Sequence, residues 1–362
     1  MKKNILVIDD SALMRRVISD IINSDNQFQV CKTVANGLEG LDVIIKEPNK
    51  YDIIILDINM PKMNGLEFLQ KYMKLRLRAK VIVVSTVASE GAKETIQALE
   101  FGAFDFVTKP TSFIQVKSES FKEKLIRCMR AAMNMKNVEK ENADTISEKP
   151  KNLHRSYEKK SIGERRVIKG KKLVALACST GGPKALQSVV PLLPENLDAP
   201  MLIVQHMPEG FTKSLADRLN DLSKVKVKEA EDGEQLEKGV VYIAKGGRQM
   251  RVLTNKKGGY QISLSLEQAR NGLKPCADIM YESLIDSDYD EITCVVLTGM
   301  GGDGTQGIKQ LKETNNVYSI AQNQETCTVY GMPKVLVTNG LADEVVPLTK
   351  VADAIVRKVG VQ

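Results

Sequence analysis

The sequence predicts a doubly wound α/β architecture in two domains: a five-stranded parallel sheet of flavodoxin-like winding, then a charged linker, then a second, predominantly parallel sheet with one antiparallel hairpin. Three observations point there. Short aliphatic, β-branched runs alternate with amphipathic stretches along most of the chain, the pattern of parallel strands covered by helices on both faces. At 362 residues the chain is long for a single core, which favours two. Between about 136 and 170 the alternation stops and Lys, Glu and Asn take over.

In residues 1–135 the predicted strands are 4–8, 29–33, 53–56, 81–85 and 104–107. Between them, 14–23, 37–46, 65–76 and 92–100 space apolar residues three and four apart, as helices do, and 120–135 closes the domain with a fifth such run. Residues 136–170 read as a flexible linker. The second domain, 171–362, has strand-like runs at 173–177, 201–205, 240–243, 292–297 and 317–321 with helices after most of them. Within 240–266, Lys245-Gly246-Gly247-Arg248 and Lys256-Lys257-Gly258-Gly259 interrupt alternating apolar residues, which predicts the hairpin.

Composition narrows the function. No stretch of eighteen residues is free of charge, so no membrane span is expected. Acids at positions 9 and 10 interrupt the apolar start before a signal-peptide core is complete, and a cytoplasmic location is expected. Six cysteines, at 31, 128, 178, 276, 294 and 327, include no C-x-x-C pair; reduced thiols and no zinc cluster follow. The net charge is +7, but residues 136–172 hold twelve Lys/Arg against six Asp/Glu. Nearly all the excess therefore belongs to a solvated segment rather than to a nucleic-acid-binding face.

Two constellations carry chemistry. Asp9 and Asp10 end the first predicted strand, Asp57 ends the third, Thr86 follows the fourth, and Lys109-Pro110 follows the fifth. In a doubly wound sheet these ends converge on one crevice. Three carboxylates gathered there call for a hard cation such as Mg²⁺, and Lys109 adds compensating charge, which makes a site for holding a phosphoryl group on Asp57. The Asp10-Ser11 pair also suits a helix cap.

The second constellation starts from histidine. Only two occur: His154, within the linker, and His206, at the end of the apolar run 201–204. Two more strand-like runs end in Cys178-Ser179-Thr180-Gly181-Gly182-Pro183 and in Thr298-Gly299-Met300-Gly301-Gly302-Asp303-Gly304. Ser179, His206 and Asp303 at strand ends make a nucleophile, a base and an orienting carboxylate. Singly, Ser179 could cap a helix, His206 could be structural and Gly-Gly-Asp-Gly could be a turn or part of a diguanylate cyclase signature, although Thr305 follows where that signature continues with Glu-Phe. The order Ser, His, Asp and the absence of G-x-S-x-G disfavour the common α/β-hydrolase fold.

Residues 1 to about 115 resemble a response-regulator receiver through Val7-Ile8-Asp9-Asp10-Ser11, Leu56-Asp57-Ile58-Asn59-Met60-Pro61, Gly65, Ser85-Thr86 and Thr108-Lys109-Pro110. The resemblance implies phosphorylation of Asp57 by a histidine kinase, Mg²⁺ held by Asp9, Asp10 and Asp57, and a relay through Thr86 and Phe106. Residues 173–362 resemble the catalytic domain of chemotaxis protein-glutamate methylesterases. The matching motifs include Ser179-Thr180-Gly181-Gly182-Pro183, Gln205-His206-Met207-Pro208, Leu297-Thr298-Gly299-Met300-Gly301-Gly302-Asp303-Gly304 and Tyr330-Gly331-Met332-Pro333.

That resemblance implies a phosphorylation-activated esterase acting on chemoreceptor glutamate methyl esters, with deamidation of glutamines as an extension and the membrane reached only through the receptors. It makes Ser179 the nucleophile, His206 the base and then the acid, and Asp303 the orienting carboxylate, with Thr180 and Met300 lining the site toward the oxyanion. Two loops depart from the family pattern. Asn271-Gly272-Leu273-Lys274-Pro275-Cys276-Ala277-Asp278 replaces Asn-Arg-His-Arg-Pro-Ser-Val-Asp, and Ala244-Lys245-Gly246-Gly247-Arg248-Gln249 replaces Ala-Pro-Gly-Asp-x-His. Both are expected to bear on substrate preference and affinity. Cys178, beside the nucleophile, raises the question of thiol oxidation, which burial would remove. Other classes are a receiver fused to a non-enzymatic binding module, and a DNA-binding regulator, for which 173–362 offers no helix-turn-helix.

Overall fold

The structure is a computed structural model and describes residues 2–86, 89–110, 119–133, 170–255 and 258–362. The predicted linker, with His154, lies outside the described residues apart from Gly170.

The N-terminal unit runs β1 (Lys3–Ile8), α1 (Ala12–Asn23), β2 (Phe28–Val34), α2 (Gly37–Lys46), β3 (Ile53–Asp57), α3 (Gly65–Lys74), β4 (Lys80–Ser85), α4 (Ser89–Glu100), β5 (Asp105–Thr108) and α5 (Glu119–Ala132). Its strands pair in parallel in the order β2-β1-β3-β4-β5, the flavodoxin-like winding expected. β3 is buried at every position, as a central parallel strand must be, so it reads as an unbroken apolar run ending in a carboxylate. Ser11 caps α1 by accepting a hydrogen bond from Met14 N–H, while Asp9 Oδ1 accepts from Ser11 N–H at 2.8 Å. Capping and the acidic pocket therefore coexist, and Asp10 stays exposed.

The second unit continues with β6 (Lys172–Cys178), α6 (Gly182–Val189), β7 (Met201–Gln205), α7 (Phe211–Leu222), β8 (Lys226–Glu229), β9 (Val240–Ile243), β10 (Gln249–Thr254), β11 (Tyr260–Ser265), α8 (Ala277–Glu282), β12 (Glu291–Val296), α9 (Thr305–Thr314), β13 (Val317–Gln322), α10 (Met332–Thr338), β14 (Glu344–Val346) and α11 (Val351–Val359). Seven strands form a wholly parallel sheet in the order β14-β13-β12-β6-β7-β9-β8. β10 and β11 form the separate antiparallel hairpin. β9, at the start of the span predicted for the hairpin, belongs instead to the main sheet, so the hairpin is confined to β10 and β11.

β8 and β14 were not among the predicted strands. Both are short edge strands; β8 reads Lys-Val-Lys-Glu, and only its valine is buried. Charge on an edge blunts unwanted pairing and at the same time hides the strand from hydrophobic pattern. No helix among the described residues is long and apolar enough to cross a membrane.

The two units pack together through α4, whose apolar side shares one continuous cluster, with Ile96 and Leu99 on one part and Leu186, Phe211 and Leu215 on the other. Glu100, the last residue of α4, receives two hydrogen bonds from Arg218 at 2.6 and 3.1 Å and one from Gln187 at 2.9 Å.

Candidate active site and phosphoacceptor pocket

β12, β6 and β7 are neighbours in the sheet, and their carboxyl ends deliver Asp303, Ser179 and His206. The chain leaves β6 toward β7 on one side and returns through β12 on the other, so the crevice lies at the topological switch point of the sheet. Ser179 is partly buried. Its N–H donates to Thr298 carbonyl at 3.0 Å, and its carbonyl accepts from Gly182 N–H at 2.7 Å, a tight turn into the amino-terminus of α6. The loop after β12 comes so close that a Cβ on Gly299 would stand 2.8 Å from Ser179 Cβ, which requires glycine there.

His206 Nε2 lies 2.7 Å from Asp303 Oδ2. A carboxylate only accepts, so Nε2 carries the proton of the neutral ring and Nδ1 is the nitrogen left free to take one. Asp303 is held from three further sides: Ala277 N–H donates to Oδ2 at 2.6 Å, and Asp278 N–H and the Cys276 thiol donate to Oδ1, each at 3.1 Å. Burial alone would push the Asp303 carboxyl up, but the hydrogen bond to His206 and the positive charge that the ring carries once protonated, with the Ala277 and Cys276 donors, hold it below the usual carboxylate range. Asp278 goes the other way, to about 6, through burial and the Asp303 charge against the Gly307 N–H it accepts. Among the described residues Ser179 Oγ makes no hydrogen bond; such contacts commonly tighten only when substrate binds.

Ser179, His206 and Asp303 line a cavity of about 570 Å³ together with Thr180 and Met300, so all five predicted residues come together. The cavity is shared. Asp105, Phe106, Lys124, Arg127 and Cys128 of the N-terminal unit form its other wall. Burial pushes the Asp105 carboxyl up, with the nearby Thr180 side chain opposing the rise, and the Phe106 ring lies 4.7 Å from the ring of Phe211 at the start of α7. Met300 packs against the apolar cluster of the N-terminal unit.

The altered 271–278 loop lies on the substrate side as expected, with Asn271 to Pro275 and Asp278 lining the cavity, and Cys276 to Asp278 also hold Asp303 from behind. Gln249 joins the two loops: wholly buried, it accepts from Cys276 N–H at 2.8 Å and donates to Leu273 carbonyl at 2.9 Å. The two departures from the family pattern are thus one packing unit. Cys178 is fully buried, donates to Gln205 and has its thiol pKa raised by desolvation, so it is not a reactive thiol.

In the other pocket, carboxylate oxygens of Asp9, Asp10 and Asp57 lie within 4.8 Å of one another. Lys109 Nζ stands 2.9 Å from Asp9 Oδ2 and 2.8 Å from Asp57 Oδ2. Burial pushes Asp57 up to about 6 despite Lys109, with the Asp9 charge adding to the rise. Asp9 Oδ2 is buried and receives no well-directed hydrogen bond. Clustered oxygen donors, a raised carboxyl and an under-satisfied oxygen fit a hard divalent cation. Thr86 is exposed just beyond β4, close against Gly91 of α4.

A phosphoacceptor-type α/β unit packed over an α/β sheet that bears Ser, His and Asp at adjacent strand ends defines a class: a response regulator whose output unit is a serine hydrolase. Family models agree, matching response regulator receiver domain over residues 5–119 and CheB methylesterase over residues 174–355. The chain is 42% identical over 352 residues to the protein-glutamate methylesterase/protein-glutamine glutaminase of Bacillus subtilis, covering 97% of each chain. It is 40% identical to the Pyrococcus abyssi protein of the same name, covering 99% of this chain and 94% of that one. The crystal structure of the Thermotoga maritima CheB methylesterase catalytic domain is similar at a TM-score of 0.50 and 40% identity, over 52% of this chain and 98% of that one. The chain belongs to the CheB methylesterase family.

Proposed function

We propose that this protein is a phosphorylation-activated carboxylic ester hydrolase that demethylates glutamate methyl esters on chemoreceptors during chemotactic adaptation, and deamidates glutamines by the same acyl chemistry. The observation that carries the reading is the His206–Asp303 pair at 2.7 Å beside Ser179, in a cavity walled by β5. Ser179 Oγ attacks the ester carbonyl as its proton passes to His206 Nδ1. That proton leaves with methanol, and water then cleaves the acyl-enzyme with His206 acting again as base. Asp303, kept ionised, stabilises the imidazolium in both halves. Thr180 and Met300 line the side on which the oxyanion develops.

A chemotaxis histidine kinase supplies the phosphoryl group to Asp57. Asp9, Asp10 and Asp57 would hold Mg²⁺, whose charge offsets that of the phosphoryl group, and Lys109 adds a second positive charge. We assign residues 1–135 to the receiver, 136–170 to the linker and 171–362 to the catalytic domain. Asp105 and Phe106 stand on the strand that follows the α4 contact, so a change at Asp57, Thr86 and Phe106 bears directly on the wall of the Ser179 cavity. The protein works in the cytoplasm, reaches the membrane only through receptors, and does not bind nucleic acid.

Methanol release from methylated receptor membranes tests this. With Mg²⁺ and a small phosphodonor the rate should rise by roughly 5- to 150-fold, the usual span of coupling between two sites. Asp57→Ala should keep the basal rate and lose the response, and a folded fragment beginning at Gly170 should exceed the unphosphorylated whole. No release by folded, phosphorylated protein from several receptors would leave a receiver with a binding module instead.

A further inference from the structure

β6 and β7 run side by side with Cys178 opposite Gln205, and the ladder between them closes with His206 N–H donating to Cys178 carbonyl at 3.1 Å. Beyond that rung the two chains part, one to present Ser179 and the other His206. The side chain of Gln205 bridges them. Its Nε2 donates to the carbonyl of Ser179 at 3.1 Å and to that of His206 at 3.2 Å, while Oε1 accepts from the Cys178 thiol at 3.0 Å.

Gln205 is 2% exposed, and both N–H groups and the carbonyl of its amide are used. Two backbone carbonyls can only accept, so the network fixes which end of the amide faces them. Space for the group is reserved as well: a Cβ on Gly182 would stand 1.9 Å from Gln205 Oε1. The N–H groups of Ser179 and His206 are already held by Thr298 and Cys178 carbonyls. Gln205 holds the carbonyl side of both residues.

We propose that Gln205 is a positioning residue: its buried carboxamide ties the backbone of the Ser179 turn to that of the His206 turn and thereby sets the distance between nucleophile and base. The proposal rests on the roles given to Ser179 and His206 under Proposed function. A misplacement of about 1 Å in such a pair costs on the order of 10²-fold in rate.

The test uses the full chain with Mg²⁺ and phosphodonor, reading kcat and KM for methanol release and, separately, the rate at which a fluorophosphonate labels Ser179. Gln205→Met keeps the volume and removes both donors. It should lower kcat and labelling on the order of 10²-fold with KM little changed, the mark of an interaction that matters only in the transition state. Gln205→Glu retains one O–H donor while protonated. A buried Glu can titrate as high as about pH 8–9, so the rate of this variant relative to wild type should fall as pH rises from about 6 to about 9. Cys178→Ala, which spares both N–H bonds, should stay near wild type.

A Gln205→Met protein that keeps kcat and labelling within about threefold overturns the proposal, since that is under 1 kcal/mol; so does a Gln205→Glu ratio that is flat with pH. If Gln205→Met fails to fold, the pH ratio decides alone. Wild type that is labelled but releases no methanol removes the methylesterase reading, while labelling still decides the role of Gln205.

Discussion

Ser179→Ala is expected to lower methanol release by about 10⁶-fold, the size of loss seen when the nucleophile of a serine hydrolase is deleted. The hydroxyl stands just before the amino-terminus of α6 and lines the same cavity as the imidazole. Cys178 is nearest in sequence, but it is fully buried and its thiol is committed to Gln205. Because Ser179 Oγ makes no hydrogen bond among the described residues, its removal orphans no partner, and stability should stay within about 0.5 kcal/mol of wild type. Phosphorylation of Asp57 should be unaffected, since the Asp9, Asp10, Asp57 and Lys109 cluster is a separate set of side chains. Methanol release and phosphodonor labelling measured on one preparation check all three statements. Release by Ser179→Ala at more than about a hundredth of the wild-type rate would mean that another group attacks the ester.

What the sequence made legible followed from burial. Central parallel strands are apolar on both faces, so β6, β7 and β12 announce themselves as aliphatic runs, and the polar residue that ends each run must lie on the rim of the sheet. Ser179, His206 and Asp303 could be found that way, as could Asp9, Asp57 and Lys109. Gln205 gives the same signal, a polar residue closing an apolar strand, but in the sequence the histidine beside it carries the more conspicuous chemistry. The supporting contacts gave no signal. Cys276 and Ala277 reach Asp303 across 27 and 26 positions, and Gln249 reaches Cys276 across 27, through loops that carry no periodicity. The contact between the two units was equally hidden. Asp105 against Thr180 and Phe106 against Phe211 pair residues that look ordinary within their own elements and acquire meaning only when two separately folded surfaces meet.

Asp303→Asn tests the electrostatics of the site, and the amide fails in either orientation. With its NH₂ group in the place of Oδ2 it points at Ala277 N–H, 2.6 Å from that oxygen now, and it donates to His206 Nε2. The ring proton is then forced onto Nδ1, the nitrogen that must accept the proton of Ser179. With its NH₂ group in the place of Oδ1 the working tautomer survives, but the amide meets Asp278 N–H, and no negative charge remains to stabilise the imidazolium. Each end keeps one backbone donor that cannot turn away, but Asp278 N–H stands 3.1 Å from its oxygen where Ala277 N–H stands 2.6 Å, and the Cys276 thiol can rotate, so the second arrangement is favoured. Loss of charge therefore does most of the damage. The expected fall in kcat is on the order of 10⁴-fold with KM little changed, the size of loss seen when a triad carboxylate becomes an amide and the tautomer is lost, and reached here through the lost charge. Asp303→Glu keeps the charge but lengthens the arm within a pocket closed by Cys276, Ala277 and Asp278, and it should recover only a small part of the loss. Steady-state kinetics of both variants at saturating phosphodonor decide the matter. An Asn variant within tenfold of wild type would show that His206 needs no carboxylate partner, and Nε2 would lose its claim to the proton.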